Sequence, residues 1–357
     1  MKAALVTGAG GLIGSACVSQ LCAQGWAVTG VDNDLRAWFF GSGGSTAPVM
    51  RDLAASWPRF TSSSLDLRDR AGVRALMAGL RPGLVIHAAA QPSHDRAAAI
   101  PAEDFDVNAV GTLNLLLALR EHAPEAVLCF TSTNKVYGDR PNHLPMRELA
   151  ARFDYADGRD GIGEDMPVDQ CLHSLFGASK LAADVLCQEY GRYFGMPIGI
   201  FRGGCLTGPQ HAGVELHGYL NYIVRCAVRG EPYTVFGYQG KQVRDQIHAT
   251  DVARLFLEFY EAPRAGEVYN LGGGRANSLS ILETLAALRE RGFVLQTSYR
   301  DEPRRGDHIC YITDLRKLHA HYPRWQILYP LARILDEMVA ELSGAPAAAW
   351  PGAPAAA

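Results

Sequence analysis

Thr7-Gly8-Ala9-Gly10-Gly11-Leu12-Ile13-Gly14 follows a short apolar run, Ala3-Ala4-Leu5-Val6, and opens a longer stretch of helical character. Few backbones accept three glycines at that spacing. Gly8 permits a tight strand-to-helix turn, Gly11 lets the main chain approach a pyrophosphate, and Gly14 lets the helix pack against the strand before it. A helix starting here presents unpaired N–H groups and the positive end of its dipole to an anion. The next apolar run, Ala27-Val28-Thr29-Gly30-Val31, ends at Asp32, close to the ~20-residue offset at which a carboxylate meets the adenine ribose. A carboxylate there repels a 2′-phosphate, so the expected cofactor is NAD rather than NADP. Gly8, Gly11, Leu12, Ile13, Gly14, Asp32 and Asn33 form the first part of the expected cofactor site.

Further apolar runs at Leu84-Val85-Ile86, Val127-Leu128-Cys129-Phe130 and Ile198-Gly199-Ile200-Phe201 alternate with helical segments. Near-continuous apolar strands separated by helices indicate a parallel sheet covered on both faces, an α/β doubly wound (Rossmann) architecture. At the ends of these strands, Asp66 and Leu67 are placed at the adenine edge. Ala88, Ala89, Ala90 and Gln91 leave room for a dinucleotide crossing the sheet. Residues 106–122 and 177–194 read as long helices. The polar segment 139–172 between them is too long for a routine connection and reads as a functional loop. The expected organisation is a dinucleotide-binding domain over 1–202, a smaller substrate-binding lobe over 203–335 that can be interleaved with the first, and a disordered Pro/Ala tail over 344–357.

A net charge of −3 gives no broad electrostatic reason to bind nucleic acid, and no apolar run reaches the ~18 residues needed to span a bilayer. Met1-Lys2 leads directly into the first strand without a signal-peptide core. The eight cysteines are scattered without a CxxC pair, which indicates a reducing, cytoplasmic setting. Histidine and cysteine spacing offers no metal site. The chain holds only five lysines against 29 arginines. A lysine retained in such a background marks a place where an ammonium that can lose its proton is useful.

These residues resemble the extended short-chain dehydrogenase/reductase family, the NAD-dependent nucleotide-sugar epimerases and dehydratases, over residues 2–335. The resemblance is carried by the glycine turn, Asp32, Asn108-x-x-Gly111-Thr112-x-Asn114-Leu115-Leu116, Ser132-Thr133-Asn134-Lys135-Val136-Tyr137-Gly138, Lys180, Gln242-Val243-Arg244-Asp245-x-x-His248-x-x-Asp251 and Arg305-Gly306-Asp307. It implies a retained NAD that removes and returns a hydride at a sugar carbon. It adds Asn108, Thr131 and Lys180 to the cofactor residues, and it puts Arg244 and Arg305 on the diphosphate of a nucleotide-sugar or nucleoside substrate. Gly204 and Cys205 are expected at the junction of nicotinamide and substrate, and Glu215-Leu216-His217-Gly218-Tyr219 leads into the second lobe. A homodimer or homotetramer through the two long helices is also implied.

The family's Tyr-x-x-x-Lys is broken. This chain reads Phe176-Gly177-Ala178-Ser179-Lys180, and a phenylalanine has no proton to exchange with the substrate hydroxyl. Thr133 and Asn134 remain on the substrate side with Lys180. Lys135 is the first candidate for the missing acid–base group, followed by Tyr137, Cys171 and His173. The 4,6-dehydratases of the family carry Asp-Glu where Asn134-Lys135 stands, so the usual acid and base for eliminating water are missing. Epimerisation is therefore the first expectation. A dehydratase or other lyase is the second, and a non-catalytic NAD-binding sensor the third.

Overall fold

The computed structural model describes residues 2–208, 218–304 and 306–344. Its centre is a seven-stranded, all-parallel sheet. β1 (Ala3–Thr7), β2 (Ala27–Val31), β3 (Phe60–Ser63), β4 (Leu84–His87) and β5 (Val127–Thr133) are joined by the strands Ile198–Gly203 and Glu267–Leu271. The spatial order is Glu267–Leu271, Ile198–Gly203, β5, β4, β1, β2, β3. The doubly wound sheet expected from the apolar runs is present.

Both faces are covered. On one, α1 (Leu12–Ala23) packs beside the helix Ala249–Glu261 over Val6, Ile86, Cys129 and Phe201. On the other, the helices Arg70–Leu80, Gly111–His122 and Ser174–Phe194 cover Leu5, Val85, Leu128 and Ile200. The helix expected over 106–122 begins as a π-helical turn, Asp106–Val110, and continues as Gly111–His122.

The chain after residue 203 divides its contributions. Glu267–Leu271 completes the main sheet in register with Ile198–Gly203, Val268 opposite Ile200. Three amphipathic helices, Tyr219–Arg229, Ile281–Glu290 and Leu331–Ser343, close a separate apolar core around Ile223, Leu288 and Met338. The two regions are thus interleaved along the chain. The long segment 139–172 carries a short hairpin, Met146–Glu148 with Phe153–Tyr155. It is tied to the sheet edge through Asn270, whose Nδ2 donates to Ile162 O while its backbone N–H donates to Glu164 Oε1. No described helix is long and apolar enough to cross a membrane. The Pro/Ala tail beyond Gly344 lies outside the described residues.

Candidate active site

A cavity of about 660 Å³ runs along the carboxyl ends of the strands, from the glycine turn after β1 to Arg244 in the second lobe. At its first end Gly8 has φ +68°, and a Cβ there would lie 2.7 Å from Ala89 N. A Cβ on Gly14 would lie 2.0 Å from Gly8 O. The turn therefore closes on itself, Gly11 N–H donating to Gly8 O at 3.0 Å. Gly11 stands at the N-cap of α1 and offers no side-chain cap, so the first N–H groups of the helix stay available to a ligand.

Asp32 does two things. Its carboxylate lines the cavity, and it also fixes the turn: Oδ2 accepts from Gly10 N–H at 2.9 Å, Oδ1 from Thr46 Oγ1 at 2.8 Å. Asn33 reaches Asp66 Oδ2 at 3.1 Å, and Arg68 grips the same carboxylate and holds it below the usual range. Beneath the turn, the His87 ring links β1 and β4 to the helix Gly111–His122. Thr112 gives its only hydroxyl proton to Asn108 O, so His87 Nε2–H must donate to Thr112 Oγ1, and Nδ1 accepts from Thr7 Oγ1 at 2.7 Å. Burial pushes this ring down to about 3, so it stays neutral.

Further along, Ala88, Ala89 and Ala90 line the wall with Leu12, Ile13 and Leu67. Thr131 Oγ1 is buried with no hydrogen-bond partner among the described residues, and Lys180 Nζ donates to Thr131 O at 2.9 Å. A narrow glycine cradle, an uncapped helix start, a strand-end carboxylate and an orphaned hydroxyl beside a lysine are the features a bound dinucleotide requires. Burial pushes the Lys180 ammonium down to about 8.

Thr133, Asn134, Lys135, Lys180 and Phe176 share one stretch of wall. Thr133 Oγ1 accepts from Lys135 N–H and so caps the short helix Asn134–Tyr137, which leaves its hydroxyl proton free for a ligand. His94, absent from the sequence-derived set, joins them: its ring packs edge-on against Phe176 with centroids 5.1 Å apart, and Nδ1 is 2.7 Å from Ser174 Oγ. Its only sequence signal is a position just beyond the alanines that end β4.

Several expected residues stand outside the cavity. Gln91 and Asn108 are buried beneath it and consumed by one another and by Asp104 and Ser179. His173 turns away, with Nε2 2.9 Å from Val136 O and Nδ1 3.1 Å from Cys171 O. Cys171 packs against Gly138 with its thiol pushed up by burial. Tyr137 donates to Asn270 Oδ1, accepts from Arg202, and is pushed up to about 12 by burial. A phenol so committed joins the long loop to the sheet.

At the end towards the second lobe Gly204, Cys205 and Arg244 line the cavity. Burial pushes the Cys205 thiol up to about 11, so it stays protonated. Arg244 is paired with Asp307 and donates to His308 O. Tyr219, Gln246 and Phe236 were not foreseen; Tyr219 OH accepts from Gln246 Nε2, and Arg300 and Arg304 lie over the Phe236 ring. Arg305 and residues 215–217 lie outside the described residues.

The sequence profile of the NAD dependent epimerase/dehydratase family matches residues 4–272. The chain belongs to that family. Among its relatives, the CDP-paratose 2-epimerase of Salmonella typhi is 30% identical over 321 residues, 88% of this chain and 91% of its own length. A dTDP-glucose 4,6-dehydratase of Neisseria meningitidis serogroup B is 30% identical over 331 residues, 89% of this chain and 87% of its own. The crystal structure of Thermus thermophilus UDP-glucose 4-epimerase complexed with NAD superposes with a TM-score of 0.76 at 27% identity, covering 96% of this chain and 100% of that one. The cofactor of this family member is NAD, and the glycine turn and Asp32 have the shape and charge that fit it.

Replacing Asp32 by alanine removes the tie to Gly10 and the carboxylate expected to accept from the adenine ribose. Hydrogen bonds to a charged group contribute about 1.5–3 kcal/mol, so NAD affinity is expected to fall roughly 10- to 100-fold. NADP affinity should change less, because the same substitution removes a repulsion. Calorimetric titration with each nucleotide checks both changes.

Proposed function

We propose that this enzyme epimerises one ring carbon of a nucleotide-linked sugar. NAD supplies the chemistry by accepting a hydride from the carbinol carbon and returning it within the same turnover. The chain's own residues bind and orient. The glycine turn and the start of α1 take the pyrophosphate, Asp32 the adenine ribose and Lys180 the nicotinamide ribose. Thr133 hydrogen-bonds the reacting hydroxyl, and Arg244 engages the substrate diphosphate, exchanging or sharing its contact with Asp307.

One observation carries the choice of epimerisation over elimination. The wall formed by Thr133, Asn134, Lys135 and Phe176 presents an amide and an amine where loss of water calls for a carboxylic acid and a carboxylate. The similarity to CDP-paratose 2-epimerase supports a CDP-sugar as the first substrate to try. A lyase remains the second reading, since a buried amine beside a transient ketone can also remove an adjacent C–H proton, and a dTDP-glucose 4,6-dehydratase is an equally identical relative. The deciding experiment incubates the NAD-loaded protein with CDP-paratose and a panel of nucleotide sugars. Inversion of a centre at unchanged mass is the expected result. Loss of one water makes it a lyase, and the absence of any product or transient NADH absorbance makes it a sensor.

A further inference from the structure

Lys135 lies on the helix Asn134–Tyr137, its side chain in the cavity wall beside Phe176. Its Nζ is 2.9 Å from Gly306 O and 3.3 Å from His308 Nδ1. The state of His308 follows from its other nitrogen, since Nε2 is 2.8 Å from Gly138 O, a carbonyl that can only accept. The ring hydrogen is therefore on Nε2, and Nδ1 is an acceptor. Burial, with Lys135 and Arg244 nearby, holds this ring well below its ordinary range, so it stays neutral. Gly306 O is likewise only an acceptor.

A neutral amine has two hydrogens and one lone pair. Gly306 O and His308 Nδ1 claim both hydrogens, which leaves the lone pair as the amine's only uncommitted valence. In the ammonium form a third hydrogen fills that same direction. The group is thus built to accept and to donate a proton along one line.

We propose that Lys135 is the catalytic acid–base of this site, with His308 as its positioning residue, and that the pair replaces the phenol missing at Phe176. The proposal rests on the reading that a carbinol is oxidised in the cavity. With bound NAD to take up the hydride from the carbinol carbon, the hydroxyl O–H bond would break as the C=O bond forms, and the proton would move to the Lys135 lone pair. On re-reduction the ammonium returns that proton to the same oxygen, so protons and electrons balance over the cycle.

The surroundings suit this exchange. Burial first, then the Arg244 guanidinium, push Lys135 down to about 8, while Asp307 and Cys205 oppose the shift. Among the described residues a further titratable neighbour, His94, is held down to about 3 by burial and by Lys135 itself, so it adds no competing charge. Lysine is required in this role, because a guanidinium does not release its proton.

Only five lysines are present, so [13Cε]lysine-labelled, NAD-loaded protein gives few NMR signals, and Lys135→Arg assigns the one of interest. Its titration midpoint is expected near 8. A midpoint at the ordinary 10.5 overturns the proposal, and this reading needs no substrate. His308→Leu removes an acceptor that favours the ammonium, so the midpoint should move lower, and His308→Asn, which keeps an acceptor, should restore it. No movement in His308→Leu removes the positioning role. With a substrate in hand, kcat/KM for the wild type should rise with pH through about 8 as the amine forms. Lys135→Met should lose that dependence and about 10²–10⁴-fold in kcat, with KM little changed. Lys135→Arg should not recover it. A Lys135→Met enzyme within tenfold of wild type sinks the proposal while leaving the epimerase reading intact.

Discussion

Substitution of Gly14 by alanine is expected to abolish retention of NAD by the purified protein and to weaken its binding by at least about 100-fold, equivalent to ~2.7 kcal/mol. The added methyl carbon would sit 2.0 Å from Gly8 O and 2.8 Å from Ala9 Cα, both backbone atoms that no rotamer change can move aside. α1 must therefore shift away from β1, and the N–H groups at its start leave the position set by the turn. Overpacking of this kind costs about 1–3 kcal/mol of stability, enough to lower the melting temperature by several degrees without unfolding the chain. Gly43→Ala is the control, because a Cβ at that site meets nothing within 4 Å beyond its own stretch of chain. Nucleotide released on denaturation, measured by absorbance, reports retention. A Gly14→Ala protein that keeps its NAD would show that helix and turn need not touch.

The largest loss of stability is expected at Asp184. This fully buried carboxylate accepts from Arg202 Nε at 3.0 Å and Nη2 at 2.9 Å, and also from Ser132 Oγ and Gln188 Nε2. Asp184→Ala strands the buried Arg202 guanidinium, for which the characteristic cost is ~3–5 kcal/mol. Arg202 also donates to Tyr137 OH, and Tyr137 to Asn270, so the anchorage of segment 139–172 should weaken as well. The urea midpoint measures the first effect, and faster proteolysis within 139–172 the second. The double variant Asp184→Leu with Arg202→Met should recover much of the stability, because it removes both charges together. If Asp184→Ala alone costs under ~1 kcal/mol, the pair is not buried as described.

What the sequence disclosed was local. The glycine spacing, the distance to Asp32 and the apolar strands each follow from neighbouring residues, and the turn, the carboxylate and the parallel sheet all appear where they were placed. Phe176 was legible for the same reason, as one altered letter in a short pattern. Long-range facts were hidden. Gln91 and Asn108 stand beside strand and helix ends, as ligand residues do, but their amides are spent on Asp104, Ser179 and each other, and nothing in the letters shows that. His94 reaches the cavity wall and His308 stands behind it on Lys135, from segments more than 200 residues apart. That the region after residue 203 can be interleaved with the first was legible, but not which segment crosses back; Glu267–Leu271 does, hydrogen-bonding with Ile198–Gly203.

That last strand also bears on how the molecule is made. On the ribosome, six strands of the central sheet emerge first, and the seventh waits behind a long stretch destined for elsewhere. Until Leu271 leaves the exit tunnel, the apolar strand Ile198–Gly203 is an open edge, ready to pair with any extended peptide nearby. A gene product truncated at residue 203 would therefore be an aggregation-prone nascent fragment rather than a free-standing nucleotide binder, and the two regions must be inherited together.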